Sequence, residues 1–280
     1  MDSERLNEAL SDQQEIFYRK EELVDRDVDL DRFLNLKHIV VITGIRRSGK
    51  STLLKLFSRK RIGCYVRFDD VRLTALKPED FEKIEMFALK RYGSNPVFYL
   101  DEMQGVELWE KWVNDLHNKG YKVFVTGSNA RLLGSEYATY LTGRHIPLNI
   151  MQFSFQETLR YKQINTSRFD VQNKSRILGC FDSMLNQGSF PEVVITGYPG
   201  LASQYYTDIV EKDIILRHDL RLKKDVFQFG LFALSNAAKI LSYSKIKSVV
   251  GMKSLETVKS YLDAFTESFV LHTISRFDYS

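Results

Sequence analysis

The sequence predicts an α/β protein in three layers, a parallel β-sheet with helices on both faces. Three observations carry this. Five short segments rich in Val, Ile, Phe and Tyr punctuate the first half of the chain. Helical stretches alternate with them, and a glycine-rich turn joins the first segment to the helix after it. Strands buried on both faces read as such apolar runs, and strand–helix alternation implies right-handed crossovers.

The expected strands are His38 to Thr43, Cys64 to Phe68, Val97 to Leu100, Lys122 to Thr126 and His145 to Ile150. The helical stretches are Lys50 to Arg61, Pro78 to Tyr92, Leu108 to Lys119 and Asn129 to Leu141. The first 25 residues or so are also expected to be helical, with Leu6, Leu10 and Phe17 on one face. Beyond Phe153 the pattern changes. Three helices are expected in 153–224, separated by Gly188, Pro191, Gly197, Pro199 and Gly200. From Val226 the order is an apolar helix (Phe227 to Leu241), a short helix (Ser244 to Val250) and a turn at Gly251. A longer helix (Ser254 to Phe265) and an alternating strand (Phe269 to Phe277) follow. This is the order of a winged helix-turn-helix. Only one strand of the wing hairpin precedes Ser280, which suggests a longer natural protein or an incomplete wing. The expected organisation is therefore a nucleotide-binding core with an N-terminal helix (1–152), a helical lid (153–224) and a winged helix (225–280).

Composition sets outer bounds. The chain has 280 residues, 44% hydrophobic and 27% charged, with a net charge of +4, which permits nucleic-acid binding without arguing for it. No run approaches the ~18 apolar residues of a membrane span. The polar N-terminus does not read as a secretory signal, and Cys64 and Cys180 lie far apart, so a cytoplasmic protein is expected. The five histidines show no ligand spacing.

The chemistry begins at Gly44-Ile45-Arg46-Arg47-Ser48-Gly49-Lys50-Ser51-Thr52. This is a P-loop: glycines let backbone N–H groups curl around phosphates, and the following helix presents its positive end. Lys50 is expected to reach the β- and γ-phosphates of ATP, and the Ser51 hydroxyl to ligate Mg2+. Arg46 and Arg47 either contact phosphates or are simply exposed. Val97-Phe98-Tyr99-Leu100-Asp101-Glu102 then supplies an acid for the magnesium, Asp101, and a second carboxylate, Glu102, to orient or deprotonate the attacking water. The next strand ends in Thr126-Gly127-Ser128-Asn129. Ser128, or else Asn129, could sense the γ-phosphate; either could equally cap the following helix. Arg144, before the fifth strand, would project from the rim of the nucleotide face. It could stabilise transition-state charge in its own site or a neighbouring copy's, or be a surface arginine or structural ion pair. Tyr205-Tyr206 and Trp109 with Trp112 read as helix-packing aromatics, and Gly188 to Glu192 as a turn positioning the lid.

Together these motifs resemble the AAA+ superfamily. They are most similar to a bacterial and archaeal family of ATPases in which an AAA-type core precedes a winged helix and a C-terminal nuclease-like domain of unknown function. Thr126-Gly127-Ser128, Leu141-Thr142-Gly143-Arg144 and Gly188-Ser189-Phe190-Pro191-Glu192 complete the likeness, which covers nearly the whole chain. The resemblance implies the strand order 5-1-4-3-2, ATP rather than GTP, Ser128 as sensor and Arg144 as candidate arginine finger; a homo-oligomer could present Arg144 to a neighbouring copy, and the oligomeric state stays open. Arg217 or Arg221 could serve as a second sensor. The C-terminal domain is missing from the pattern.

Competing functions separate on motifs. The guanine-reading Asn-Lys-x-Asp is absent, since Asn118-Lys119 is followed by Gly120-Tyr121 and Asn173-Lys174 by Ser175-Arg176. The Ser-Gly-Gly-Gln of transporter ATPases is also absent, and Glu102 argues against a small-molecule kinase. The remaining alternative is a nucleotide-switched DNA-binding protein. Its reader would be the helix from Ser254, with Lys253, Ser254, Thr257 and Lys259 at duplex DNA and Lys245 and Lys247 at phosphates. Glu256 and Asp263 interrupt that face.

Overall fold

The computed structural model describes residues 1–129, 141, 143–167 and 170–274. Its centre is a five-stranded parallel sheet in the order β2-β3-β4-β1-β5, the expected one. The strands are β1 (Ile39–Thr43), β2 (Gly63–Arg67), β3 (Val97–Asp101), β4 (Lys122–Gly127) and β5 (His145–Asn149). Among the described residues, the α-helices before β5 are α1 (Ser3–Phe17), α2 (Leu30–Asn35), α3 (Lys50–Lys60), α4 (Phe81–Tyr92) and α5 (Trp109–Asn118).

Side chains alternate across each strand, and the alternation feeds two cores. Ile39 and Val41 face one side with Val123 and Val125, where α1, α4 and α5 bury Leu6, Leu10, Ile84, Trp112 and Leu116. Val40 and Ile42 face the other with Phe124, where α2 and α3 bury Leu34, Leu53 and Phe57. Trp109 and Trp112 pack as expected, the latter stacked on Phe81 with ring centroids 4.5 Å apart.

The N-terminal helix ends at Phe17, well short of the expected length, because the next residue is needed elsewhere. The Tyr18 hydroxyl donates to the Gly63 carbonyl at 2.6 Å and accepts from the Gly63 N–H at 3.0 Å. Gln14 bonds both backbone groups of Tyr65, and Gln13 both of Arg67. The side chains at the end of α1 thus satisfy the outer edge of β2, which would otherwise be open to pairing.

Beyond the sheet lie α6 (Phe155–Tyr161), α7 (Val171–Gln187), α8 (Pro191–Thr196) and α9 (Gly200–Asp208), the last running into a π-helical segment, Ile209–Ile215. Four helices and a π turn thus replace the expected three, since Pro191 starts a separate short helix that Gly197 ends. Then come α10 (Lys223–Ser235), α11 (Tyr243–Val250) and α12 (Leu255–Glu267), with the Gly251 turn between the last two. The expected strand from Phe269 is absent over 269–274. Phe269 takes a left-handed φ of 61° and is buried, and the N–H groups of Val270 and Leu271 both turn back to the Phe265 carbonyl. These residues close α12 rather than begin a ladder; 275–277 lie outside the described residues. So does the expected helix Asn129 to Leu141, apart from its two ends. One apolar core joins Val193, Tyr205, Ile209 and Ile214 to Val226, Phe229, Val258 and Phe265.

Candidate functional site

The C-terminal ends of β1, β3 and β4 lie side by side, with Thr43 paired to Gly127 and Leu100 to Val125. This parallel register brings Gly44, Asp101, Glu102 and Ser128 to one edge of the sheet although they are far apart in sequence. Gly44 turns the chain with φ 145°, and a Cβ there would meet the Ile150 carbonyl oxygen at 2.0 Å. Only glycine fits. Gly49 then caps α3 in a left-handed conformation.

Lys50 is buried and donates to the carbonyls of Gly44 at 2.9 Å and Ile45 at 3.1 Å. An ammonium has three protons, so one remains for a further acceptor. Burial pushes its pKa down, opposed by the carboxylates of Glu102, Asp101 and Asp213. Ser51 is exposed and Thr52 half-buried on the first turn of α3. Ser48 Oγ and Thr43 Oγ1 are buried without a hydrogen-bond partner among the described residues.

Asp101 is 1% exposed and held from two strands. The Tyr65 hydroxyl of β2 donates to Oδ2 at 2.8 Å, and the Thr126 hydroxyl of β4 donates to Oδ1. Thr126 Oγ1 in turn accepts the Glu102 N–H at 3.1 Å. One hydroxyl therefore links both acids. Glu102 has a left-handed φ of 57°, and its carboxylate accepts from the Gln104 amide. A non-glycine residue in this conformation stores strain of about 1–3 kcal/mol, as functional turns do.

Ser128 and Asn129 are both buried at the end of β4. Ser128 Oγ lies 3.4 Å from Asp213 Oδ1 and 3.4 Å from an Arg217 nitrogen. Arg46 is not free. Its Nε and Nη2 form a fork onto Asp213 at 2.6 and 2.9 Å, and this pairing holds its pKa up. Arg47 is exposed, its guanidinium 5.4 Å from the Tyr205 ring centroid and 3.9 Å from the Glu192 carboxylate. Ile45 belongs to the apolar core of the C-terminal helices. The loop thus engages those helices through Ile45, Arg46 and Arg47.

Arg144 is displaced from its expected place. It directly precedes β5, whose last residue, Asn149, is level with Thr43. Five residues of strand, about 16 Å, separate it from the phosphate edge. Its guanidinium donates to Asn114 at the surface. This corrects its expected position at the rim of the nucleotide face and removes it from its own site, because strand direction carries it to the opposite edge of the sheet.

Three contributors escaped the sequence reading. Arg26 bonds the Ser48 carbonyl at 2.7 Å, the Met151 carbonyl at 2.8 Å and Glu157 at 2.8 Å, with its guanidinium against the Phe153 ring. Glu157 also accepts the N–H groups of Asp27 and Ser154, closing a capping box on α6. Burial would raise the Glu157 pKa, but these hydrogen bonds, Arg26 foremost, outweigh it and lower the pKa. Asp213 is the third, one of three acids in Asp208-Ile209-Val210-Glu211-Lys212-Asp213 with nothing in the sequence to single it out. A cavity of about 930 Å³ flanks α3, bordered by Leu23, Asp25, Lys55, Arg59, Tyr161 and Ile195.

Residues 36–159 match the model of an AAA domain, and residues 180–280 match a domain of unknown function (DUF8612). The uncharacterized protein MJ1544 of Methanocaldococcus jannaschii is 28% identical over 93% of this chain and 61% of its own length. An uncharacterized protein of Haemophilus influenzae is 30% identical over 89% of this chain and 65% of its own. The chain thus spans less than two thirds of these curated relatives. Among solved structures, the ORC2 protein of Aeropyrum pernix, in ADPNP-ADP complexes, aligns at 10% identity with a TM-score of 0.49, over 91% of this chain and 89% of that one. The signal transduction ATPase PH0952 of Pyrococcus horikoshii aligns at 13% identity with a TM-score of 0.41, over 91% of this chain and 40% of that one.

Proposed function

Residues 36–159 form an AAA domain of the AAA+ superfamily, and from this premise we propose that the protein binds Mg-ATP at Gly44 to Thr52 and hydrolyses it. The observation that carries the reading is the hydroxyl of Thr126, which joins the Asp101 carboxylate to the Glu102 backbone beside the phosphate loop.

The loop amides and the third proton of Lys50 would bind the β- and γ-phosphates. The orphaned Ser48 hydroxyl offers a further donor. Magnesium fits the donors present, because each Asp101 oxygen accepts one hydrogen bond and keeps a lone pair, and the Ser51 hydroxyl is exposed. Bound there, the ion would neutralise charge on the phosphates. Glu102 would orient the attacking water and take its proton. Ser128 would report the γ-phosphate, with Arg217 as second sensor. Hydrolysis would be coupled to movement of a helical lid (153–224) and a winged helix (225–280), since Ile45 and Arg46 join the loop to them. Arg144 remains a candidate only toward the site of a neighbouring copy, in a homo-oligomer.

The test is nucleotide titration of the purified chain. Lys50→Ala should weaken Mg-ATP binding at least about 100-fold, the scale of a lost charge-assisted contact in a buried site. Unaltered affinity would remove the loop from the binding site.

A second reading, nucleotide-switched binding of duplex DNA, is favoured by the exposure of Lys245, Lys253 and Lys259 around the α11–α12 turn. Ser254 caps α12 there by accepting the Thr257 N–H. No described helix is long and apolar enough to cross a membrane.

A further inference from the structure

We propose that Asp213 is an internal anion that competes with the terminal phosphate of the nucleotide for Arg46 and Arg217. Nucleotide affinity would then be set by how tightly the π-helical turn holds the phosphate loop. The inference rests on the reading that Gly44 to Thr52 takes a nucleoside triphosphate.

The side chain is placed by the turn that carries it. Ile209, Val210, Ile214 and Ile215 fill the apolar core, and Asp213 shares their buried face at 1% exposure. A buried carboxylate is tolerated only when paired. Asp213 accepts the Arg46 fork at 2.6 and 2.9 Å and the Arg217 Nη2 at 3.0 Å, with the Ser128 hydroxyl 3.4 Å away. One carboxylate thus faces two guanidiniums. Arg217 Nη1 is buried without a hydrogen-bond partner among the described residues, so half of that fork is uncommitted. Arg46 stands two positions after Gly44 and keeps a third of its side chain exposed.

A phosphate presents the same bidentate oxygen geometry to a guanidinium as a carboxylate does. The charge on Lys50 is favoured by Glu102, Asp101 and Asp213 and disfavoured by Arg46, so all five share one electrostatic site. A γ-phosphate brought to Lys50 would compete for the donors that Asp213 holds. Arg46 would exchange one anion for another, and the π turn would lose its grip on the loop. The two events are linked, so what loosens the grip must tighten the triphosphate. π-Helical turns recur at functional sites, where they re-aim a single side chain, and this one aims Asp213 at the loop.

The experiment titrates wild type and Asp213→Asn with a non-hydrolysable ATP analogue and with ADP, both with magnesium. The variant should bind the triphosphate about 5-fold or more tighter, the lower end of typical coupling between linked sites, and ADP with a smaller gain. Equal or weaker triphosphate binding by a variant that melts like wild type would overturn the inference. If the variant does not fold, hydrogen exchange on wild type decides. Amides of 209–217 should exchange faster with the triphosphate analogue than with ADP, and equal or slower exchange would overturn it. If wild type binds neither nucleotide, the ATP reading falls and takes this inference with it. If wild type binds through Lys50 and the variant gains nothing, only the internal anion falls.

Discussion

Arg26 donates from its Nη1 to the carbonyl of Ser48, 2.7 Å away, inside the phosphate loop. The same guanidinium forms a buried pair with Glu157 at the start of α6. One residue outside every recognisable motif thus braces the loop from behind and ties it to the first helix after the sheet.

Breaking that brace should be costly. Arg26→Ala leaves the Glu157 carboxylate buried without its partner, which typically destabilises by about 3–5 kcal/mol. Urea denaturation monitored by circular dichroism should show the midpoint falling. A change below about 1 kcal/mol would place the pair in the noise of surface charges.

The same carboxylate gives a pH dependence. Its folded pKa lies below the ordinary value of about 4.3, so its contribution to stability is fully present above pH ~4.3 and is lost as pH falls through the folded pKa. Acid titration of stability should therefore be steeper for wild type than for Glu157→Gln below pH 4.3. Parallel curves would contradict the assignment.

Ile45 links the loop to the C-terminal core through packing alone. Ile45→Ala should cost about 2–4 kcal/mol, because the core around it relaxes only partly. It should also blunt the nucleotide-induced change in hydrogen exchange at 209–215. A variant with wild-type stability would show that the contact contributes nothing.

Thr126→Val removes the hydroxyl between the acids while keeping the strand's shape. The Glu102 N–H would lose its acceptor, at about 1–3 kcal/mol, and Asp101 one of its two donors. ATP turnover should fall and the magnesium concentration for half-maximal activity should rise. Turnover and magnesium dependence both unchanged would dismiss this bridge.

The strands and the loop were legible in sequence because their causes are local. Val40, Val41 and Ile42 are apolar because both sheet faces are buried, and Gly44 is glycine because Ile150 leaves no room for a Cβ. Asp213 was hidden because its partner Arg46 lies 167 residues away, and no spacing rule reaches that far. Arg26 was hidden similarly, since Asp25-Arg26-Asp27 reads as any solvated charge cluster. Arg144 was misplaced although its position before a parallel strand already puts it at the edge opposite the loop that follows β1. The strand expected from Phe269 does not form over 269–274 because alternation mimics a strand wherever a helix end tucks one aromatic into the core.

The central claim is that Glu102 activates water for ATP hydrolysis. Phosphate release from Mg-ATP by wild type and Glu102→Gln, alongside their nucleotide affinities, tests it most directly. The account predicts unchanged binding and turnover reduced at least about 10-fold, at the low end for loss of a general base. Equal turnover in the two proteins would contradict it.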